Sequence, residues 1–106
     1  MNKYILVGHK AVPVDRETYL QTGEQDRTVA KSNVGDYWVS TVFLGLDHQW
    51  KDDGPPLLFE TMVFGKGPFN ERLERCTTWE EAEVMHEKMC EEIRKQKNKT
   101  GEEDAP

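Results

Sequence analysis

The sequence predicts an α+β domain in which an antiparallel sheet of four to five strands packs against one C-terminal amphipathic helix. Two runs rich in β-branched and aromatic residues, 37–46 and 57–64, are typical of paired strands. A capping box followed by apolar residues spaced by three and four, over 78–93, predicts the helix. We therefore expect one domain at residues 1–97, followed by a disordered, acidic tail at 98–106.

The N-terminal quarter predicts extended chain and one short helix. Residues 4–7 have the composition of a strand, and 9–14 continue extended because the proline at 13 disfavours helical backbone before it. A short helix over 15–20 would begin at Asp15 as its N-cap and end at Gly23.

Two weaker strands flank the strong pair. Residues 27–34 are a moderate strand candidate, and 71–76 resemble an edge strand. If the loop at 47–56 closes symmetrically, Thr41 faces Thr61 and Val42 faces Glu60. A register slip of one residue would pair Thr41 with Glu60 instead.

The helix has the clearest local signals. Thr78 is expected to cap the backbone near Glu81, whose carboxylate reaches back to the start of the helix. Its apolar stripe, which should lie on the sheet, consists of Trp79, Ala82, His86, Met89 and Ile93.

The strong hairpin is apolar on both faces, although only one long helix is predicted to cover it. One face would present Trp38, Val42, Leu44, Leu58, Met62 and Phe64. Either the N-terminal segment covers the remaining face, or that face binds a partner or a second copy of the chain. We assign the candidate partner surface to the other face and the adjoining loop, namely Tyr37, Val39, Phe43, Phe59, Val63 and Trp50.

Polar residues near one level of the sheet form a candidate ligand site. Its members are Thr41, Asp47, His48, Glu60, Thr61 and His86. A carboxylate beside hydroxyl groups could have a raised pKa in such a pocket, but polar strand residues are more often simply hydrogen-bonded. No nucleophile–base pattern, phosphate loop or dinucleotide fingerprint is present, so no catalytic residue or cofactor is predicted.

The cysteines and histidines do not follow a standard metal-ligand spacing. His86 and Cys90 lie one helical turn apart and could share a zinc ion with Asp47 or His48, but we expect no metal. Cys76 precedes the helix and Cys90 lies well inside it, so we expect two reduced thiols.

Charge and hydropathy exclude some classes of partner. A net charge of −6 disfavours binding to a nucleic-acid backbone. The chain has no window resembling a membrane span and no segment resembling a secretion signal. We expect neither nucleic acid nor membrane as a partner, and a location in the cytoplasm.

Three motifs resemble a known protein family. Residues 39–48 (VSTVFLGLDH), 54–65 (GPPLLFETMVFG) and 78–83 (TWEEAE) are similar to segments of small uncharacterised proteins encoded by tailed bacteriophages and prophages. The segment 15–20 departs from that family, in which a longer helix with tryptophans is expected. The resemblance implies a setting in the cytoplasm of an infected bacterium, and it implies no enzymatic activity.

Together these features predict a non-enzymatic interaction module. Its partner would be a host or phage protein, or a second copy of the chain, and one version of the role is to counter a host defence system. The alternative is a small-ligand-binding or enzymatic domain whose polar site lies between sheet and helix. A minor virion component is a third, less favoured reading.

Overall fold

The computed structural model describes residues 2–49 and 54–104, and the side chains only as far as residue 96. Trp50, one of the predicted partner residues, lies outside the described residues. The elements in chain order are β1 (Lys3–Val7), β2 (Lys10–Val14), α1 (Arg16–Thr22), β3 (Thr28–Val34), β4 (Tyr37–Phe43), β5 (Phe59–Gly65), β6 (Leu73–Cys76) and α2 (Trp79–Asp104).

The strands form a four-stranded antiparallel sheet and a separate hairpin, so the predicted α+β class is confirmed. The order in the sheet is β3-β4-β5-β6. Strand β1 pairs with β2, and an antiparallel bridge between Lys3 and Leu46 joins it to the chain after β4. The predicted register of the central hairpin is confirmed, because Thr41 lies opposite Thr61 and Val42 opposite Glu60.

Strand β4 ends at Phe43, before the predicted end at residue 46. Gly45 has a φ of 80°, which turns the chain out of the extended conformation. The backbone amide of Leu44 still donates to the carbonyl of Leu58 at 2.7 Å, so the two chains of the hairpin stay paired just beyond β4.

Both helices begin where the sequence predicts. The Asp15 carboxylate accepts the amide of Thr18 at 2.7 Å and caps α1, which ends at Gly23. At the start of α2, the Thr78 hydroxyl accepts the amide of Glu81 at 3.1 Å, and the Glu81 carboxylate accepts the amide of Thr78 at 3.0 Å. This reciprocal pair satisfies amides that would otherwise have no partner in the first helical turn.

The helical backbone of α2 continues to Asp104 and so passes residue 97, where the sequence places the domain boundary. The last core side chain of the helix is Ile93, which is 1% exposed. The side chains of 97–104 and residues 105–106 lie outside the description, so the disorder of the 98–106 tail stays a prediction.

Helix α2 covers one face of the sheet, which we call the inner face. Its strand residues, all buried, are Val39, Thr41, Phe43, Phe59, Thr61 and Val63. They pack with Ala82, Met89, Cys90 and Ile93 of the helix, and the β1–β2 hairpin contributes Leu6 beside Phe43. The alternation of strand side chains sends their neighbours to the opposite side.

The predicted partner surface requires correction, because most of it is core. Val39, Phe43, Phe59 and Val63 are at most 1% exposed, and Tyr37 packs against the same core. Both faces of the hairpin are apolar, so pattern alone could not say which one the helix covers. The available face is the opposite one.

Candidate functional site

A line of hydrogen-bonded polar side chains crosses the core beneath α2. The hydroxyl groups of Thr61 and Thr41 are within hydrogen-bond distance. Thr41 Oγ1 lies 2.8 Å from His86 Nδ1, and His86 Nε2 lies 2.9 Å from Ser32 Oγ. We call Ser32, His86, Thr41 and Thr61 the polar line. It joins β3, β4, β5 and α2 through one imidazole ring.

The positions of these residues in their elements explain the arrangement. Thr41 and Thr61 are a directly opposed pair on the inner face. Ser32 lies opposite Val39, an inner-face residue of β4. His86 belongs to the apolar stripe of α2, so its ring is carried onto the sheet between them. Ser32 was missed in the sequence because a serine in an edge strand has no distinguishing pattern.

A neutral His86 satisfies every group in the line. With the ring proton on Nε2, Thr61 donates to Thr41, Thr41 donates to Nδ1, and Nε2–H donates to Ser32. With the proton on Nδ1, each of these three directions is reversed. Burial lowers the pKa of His86 below its ordinary value, and the nearby Glu87 carboxylate opposes this only in part. The folded protein therefore favours the uncharged ring.

The depressed pKa of His86 predicts a pH-dependent stability. Below a pH of about 6.5, the unfolded chain binds a proton at this histidine more readily than the folded chain does. The free energy of unfolding should therefore fall as pH falls below that value, by at most about 1.4 kcal/mol per pH unit. Urea unfolding across this range measures the slope, and H86Q should flatten it. Equal pH slopes of the unfolding free energy in wild type and H86Q would contradict the assignment of this pH dependence to His86.

Glu60 does not join the polar line, contrary to the grouping expected from sequence. It lies on the other side of β5, where its carboxylate accepts Arg75 Nε at 3.0 Å and pairs with the guanidinium. Successive strand residues point to opposite faces, so a residue beside Thr61 in the chain cannot share its face. Glu60 and His86 are therefore separated by the sheet.

Asp47 and His48 also lie apart from the polar line, at the base of the central loop. The Asp47 carboxylate accepts the amides of Gln49 at 2.8 Å and Leu57 at 3.0 Å. The backbone amide of His48 donates to the carbonyl of Leu57 at 3.1 Å. These contacts close the loop on itself, which gives Asp47 a structural role.

The thiols and acidic groups offer no metal centre in the part of the chain that the structure describes. No group of three or more His, Cys, Asp or Glu residues lies close enough to hold an ion there. Cys76 and Cys90 are free thiols. Burial, with a smaller effect from the Glu81 carboxylate, raises the pKa of Cys76 to about 11, so this thiol stays protonated and poorly nucleophilic.

The polar line does not border the two grooves beside the start of α2. The pairing of Ser32 with His86 resembles a nucleophile and its base. However, two grooves of about 560 and 580 Å³ flank the start of α2, and neither is lined by Ser32 or His86. The second groove contains His9, whose ring stacks on Trp79 at 3.8 Å. Thr41, Thr61 and His86 are buried and Ser32 is half-buried. Polar groups in a core that satisfy one another in this way are common in folded proteins.

The sheet surface away from α2, which we call the outer face, is open and carries both apolar and polar side chains. Trp38 and Phe64 are directly opposed there and are 40% and 45% exposed. The strand alternation and register add Lys31, Asn33, Ser40, Val42, Glu60, Met62, Leu73 and Arg75. Lys31 lies with its ammonium 5.9 Å from the centre of the Trp38 ring.

Comparison with known proteins adds no relative. No family model, curated protein or solved structure matches the chain. The resemblance to phage proteins therefore stays a prediction from the sequence motifs. In the described part of the chain, no helix is long and apolar enough to cross a membrane.

Proposed function

We propose that the protein is a non-enzymatic interaction module that binds another protein through the outer face of its sheet. The single observation that carries this proposal is the exposed, directly opposed pair Trp38 and Phe64 on a face that α2 leaves uncovered. Clustered exposed apolar residues are typical of protein-binding surfaces, and tryptophan is enriched among residues that dominate binding energy.

The size of the face indicates what kind of association to expect. Three strands of seven residues and one of four, spaced by about 4.8 Å and rising about 3.4 Å per residue, give a surface of roughly 400 Å². A standard stable interface buries about 800 Å² on each partner. Two copies meeting only through this face would bind weakly, so a stable partner must also contact the sheet edges or the loops.

The resemblance to phage proteins supplies a setting for this surface. The partner would then be a host or phage protein in the cytoplasm of an infected bacterium, and inhibition of a host defence protein is one form of the role. The alternative of a ligand-binding or enzymatic site loses its main support, because Glu60 and His86 lie on opposite sides of the sheet.

A double substitution on the outer face tests the proposal. W38S/F64S should reduce capture of the specific partner from infected cells at least about tenfold, because the centre of an interface dominates its energy. The matched control is V7S/L20S, which removes two apolar side chains that are 60% and 63% exposed outside the sheet face. Quantitative mass spectrometry of the tagged proteins measures the loss.

The outcomes separate the possible occupants. Loss of one protein from the W38S/F64S sample alone, with normal recovery in the control, would support the proposal. Sizing at several concentrations would reveal a wild-type dimer that the outer-face variant dissociates, which would assign the face to self-association. Equal capture by wild type and both variants would contradict a role for the outer face.

A further inference from the structure

A second surface, the groove between β6 and α2, has the features of a peptide-binding site. It encloses about 560 Å³ and is lined by Glu74, Arg75 and Cys76 from the strand and by six residues of the helix between Glu80 and Glu92. Strand β6 pairs with β5 on one side, and no other described strand pairs with its outer edge. The groove therefore lies along an open edge of the sheet.

The open edge supplies backbone hydrogen bonds. Alternate residues of an edge strand direct their N–H and C=O groups away from the sheet, where an extended peptide can pair with them. The four residues of β6 are enough to position a short segment. Many peptide-binding domains add a strand in this way, beside a helix that contributes side-chain contacts.

The helical wall supplies an apolar contact. Val84 is 58% exposed and belongs to the lining, and Met85 and Cys76 lie deeper in the groove. An added strand would send every second side chain toward α2, so an apolar side chain could pack against Val84.

The charge of the groove favours a basic occupant. Its lining contains the glutamates Glu74, Glu80, Glu81 and Glu92, against the cations Arg75 and Lys88. Two of these charges are already paired, Arg75 with Glu60 at 3.0 Å and Glu92 with Arg72 at 2.9 Å. The remaining charged groups are Glu74, Glu80 and Glu81 against Lys88. The potential in the groove is therefore negative, which attracts lysine and arginine side chains.

We propose that the groove between β6 and α2 binds an extended, basic peptide segment of a partner protein, which adds to the sheet as a strand beside β6. The backbone of the segment pairs with the strand edge, an apolar side chain packs on Val84, and flanking basic side chains face the glutamates. This site shares Arg75 with the margin of the outer face but lies mainly on the α2 side of β6, and it does not depend on the function proposed for that face.

Nuclear magnetic resonance of the full ¹⁵N-labelled chain tests the proposal with defined probes. A capped Lys-Thr-Val-Thr-Lys peptide, whose first, third and fifth side chains would all face α2, should shift the amides of Leu73–Cys76 and Val84–Lys88 in a saturable way. A Glu-Thr-Val-Thr-Glu peptide should bind at least about tenfold more weakly, because its charges are repelled. The basic peptide methylated on alternate backbone nitrogens should lose binding when the methyl groups face the strand edge.

Variants identify the side chains involved. E74K should weaken binding of the basic peptide and strengthen binding of the acidic one. E24K makes an equal charge change at an exposed site outside the groove and should alter both affinities much less. V84Q should weaken binding of the basic peptide. L20Q, which changes an exposed apolar residue outside the groove, is its control.

Three results would overturn the proposal: equal affinity for the two peptides, shifts centred on Trp38 and Phe64, or unchanged binding of the methylated peptide. Shifts at β6 that grow with protein concentration before any peptide is added would mean that a second copy occupies the edge, which also overturns it.

Discussion

Replacing Phe59 by alanine is expected to lower the free energy of unfolding by about 3–5 kcal/mol. The ring is fully buried on the inner face, where it contacts Phe43 at 5.3 Å and Trp79 at 6.2 Å between ring centres. Its removal leaves a cavity between the sheet and the start of α2, and these two elements cannot collapse without disturbing their shared packing. Urea unfolding followed by circular dichroism measures the loss.

Phe64 is the matched control for Phe59, since both are phenylalanines of β5 on opposite faces of the strand. Phe64 is 45% exposed, so F64A should cost less than about 1 kcal/mol. The comparison distinguishes the core face from the available face of the same strand. Equal losses in F59A and F64A would show that both faces are buried in solution, and would contradict the open outer face.

Replacing His86 by alanine is expected to lower the free energy of unfolding by about 2–4 kcal/mol at neutral pH. The substitution removes a ring that is 1% exposed and takes hydrogen-bond partners from Ser32 and Thr41. Thr41 keeps its contact with Thr61, which limits the cost. Thermal and urea unfolding of the same samples give the difference.

His9 provides the control for this histidine. It is exposed and stacks on Trp79, so H9A should cost less than about 1 kcal/mol. A loss in H86A no larger than that in H9A would mean that the polar line contributes little to the folded state. A large loss in H86A supports a structural role, since no described groove gives a substrate access to the ring.

Local features could be predicted because their causes are local. The capping box at Thr78 and Glu81 and the cap at Asp15 each depend on residues three apart in the chain. The pairing of Thr41 with Thr61 followed from the lengths of two strands and the loop between them. Each of these arrangements is set by backbone geometry over a short stretch.

The candidate sites were harder to predict, because they depend on contacts between distant residues. Ser32 and His86 are 54 positions apart and meet only when α2 lies across the sheet. The pairing of β5 with the edge strand β6 brings Arg75 beside Glu60. The Glu60 carboxylate therefore belongs to an ion pair and not to the predicted ligand site. Neither contact leaves a periodic signal in the sequence.

The sequence by itself determined the α+β class, the register of the central hairpin, and the start of each helix. Only the tertiary structure decided which apolar face of the hairpin is core. The face with Val39 and Phe59 is buried, and the face with Trp38 and Phe64 is exposed. The physical reason is that the alternation of side chains assigns each residue to one of two faces. When both faces are apolar, this pattern does not indicate which of them is buried. The side that α2 covers becomes the core, and the other remains available for a partner.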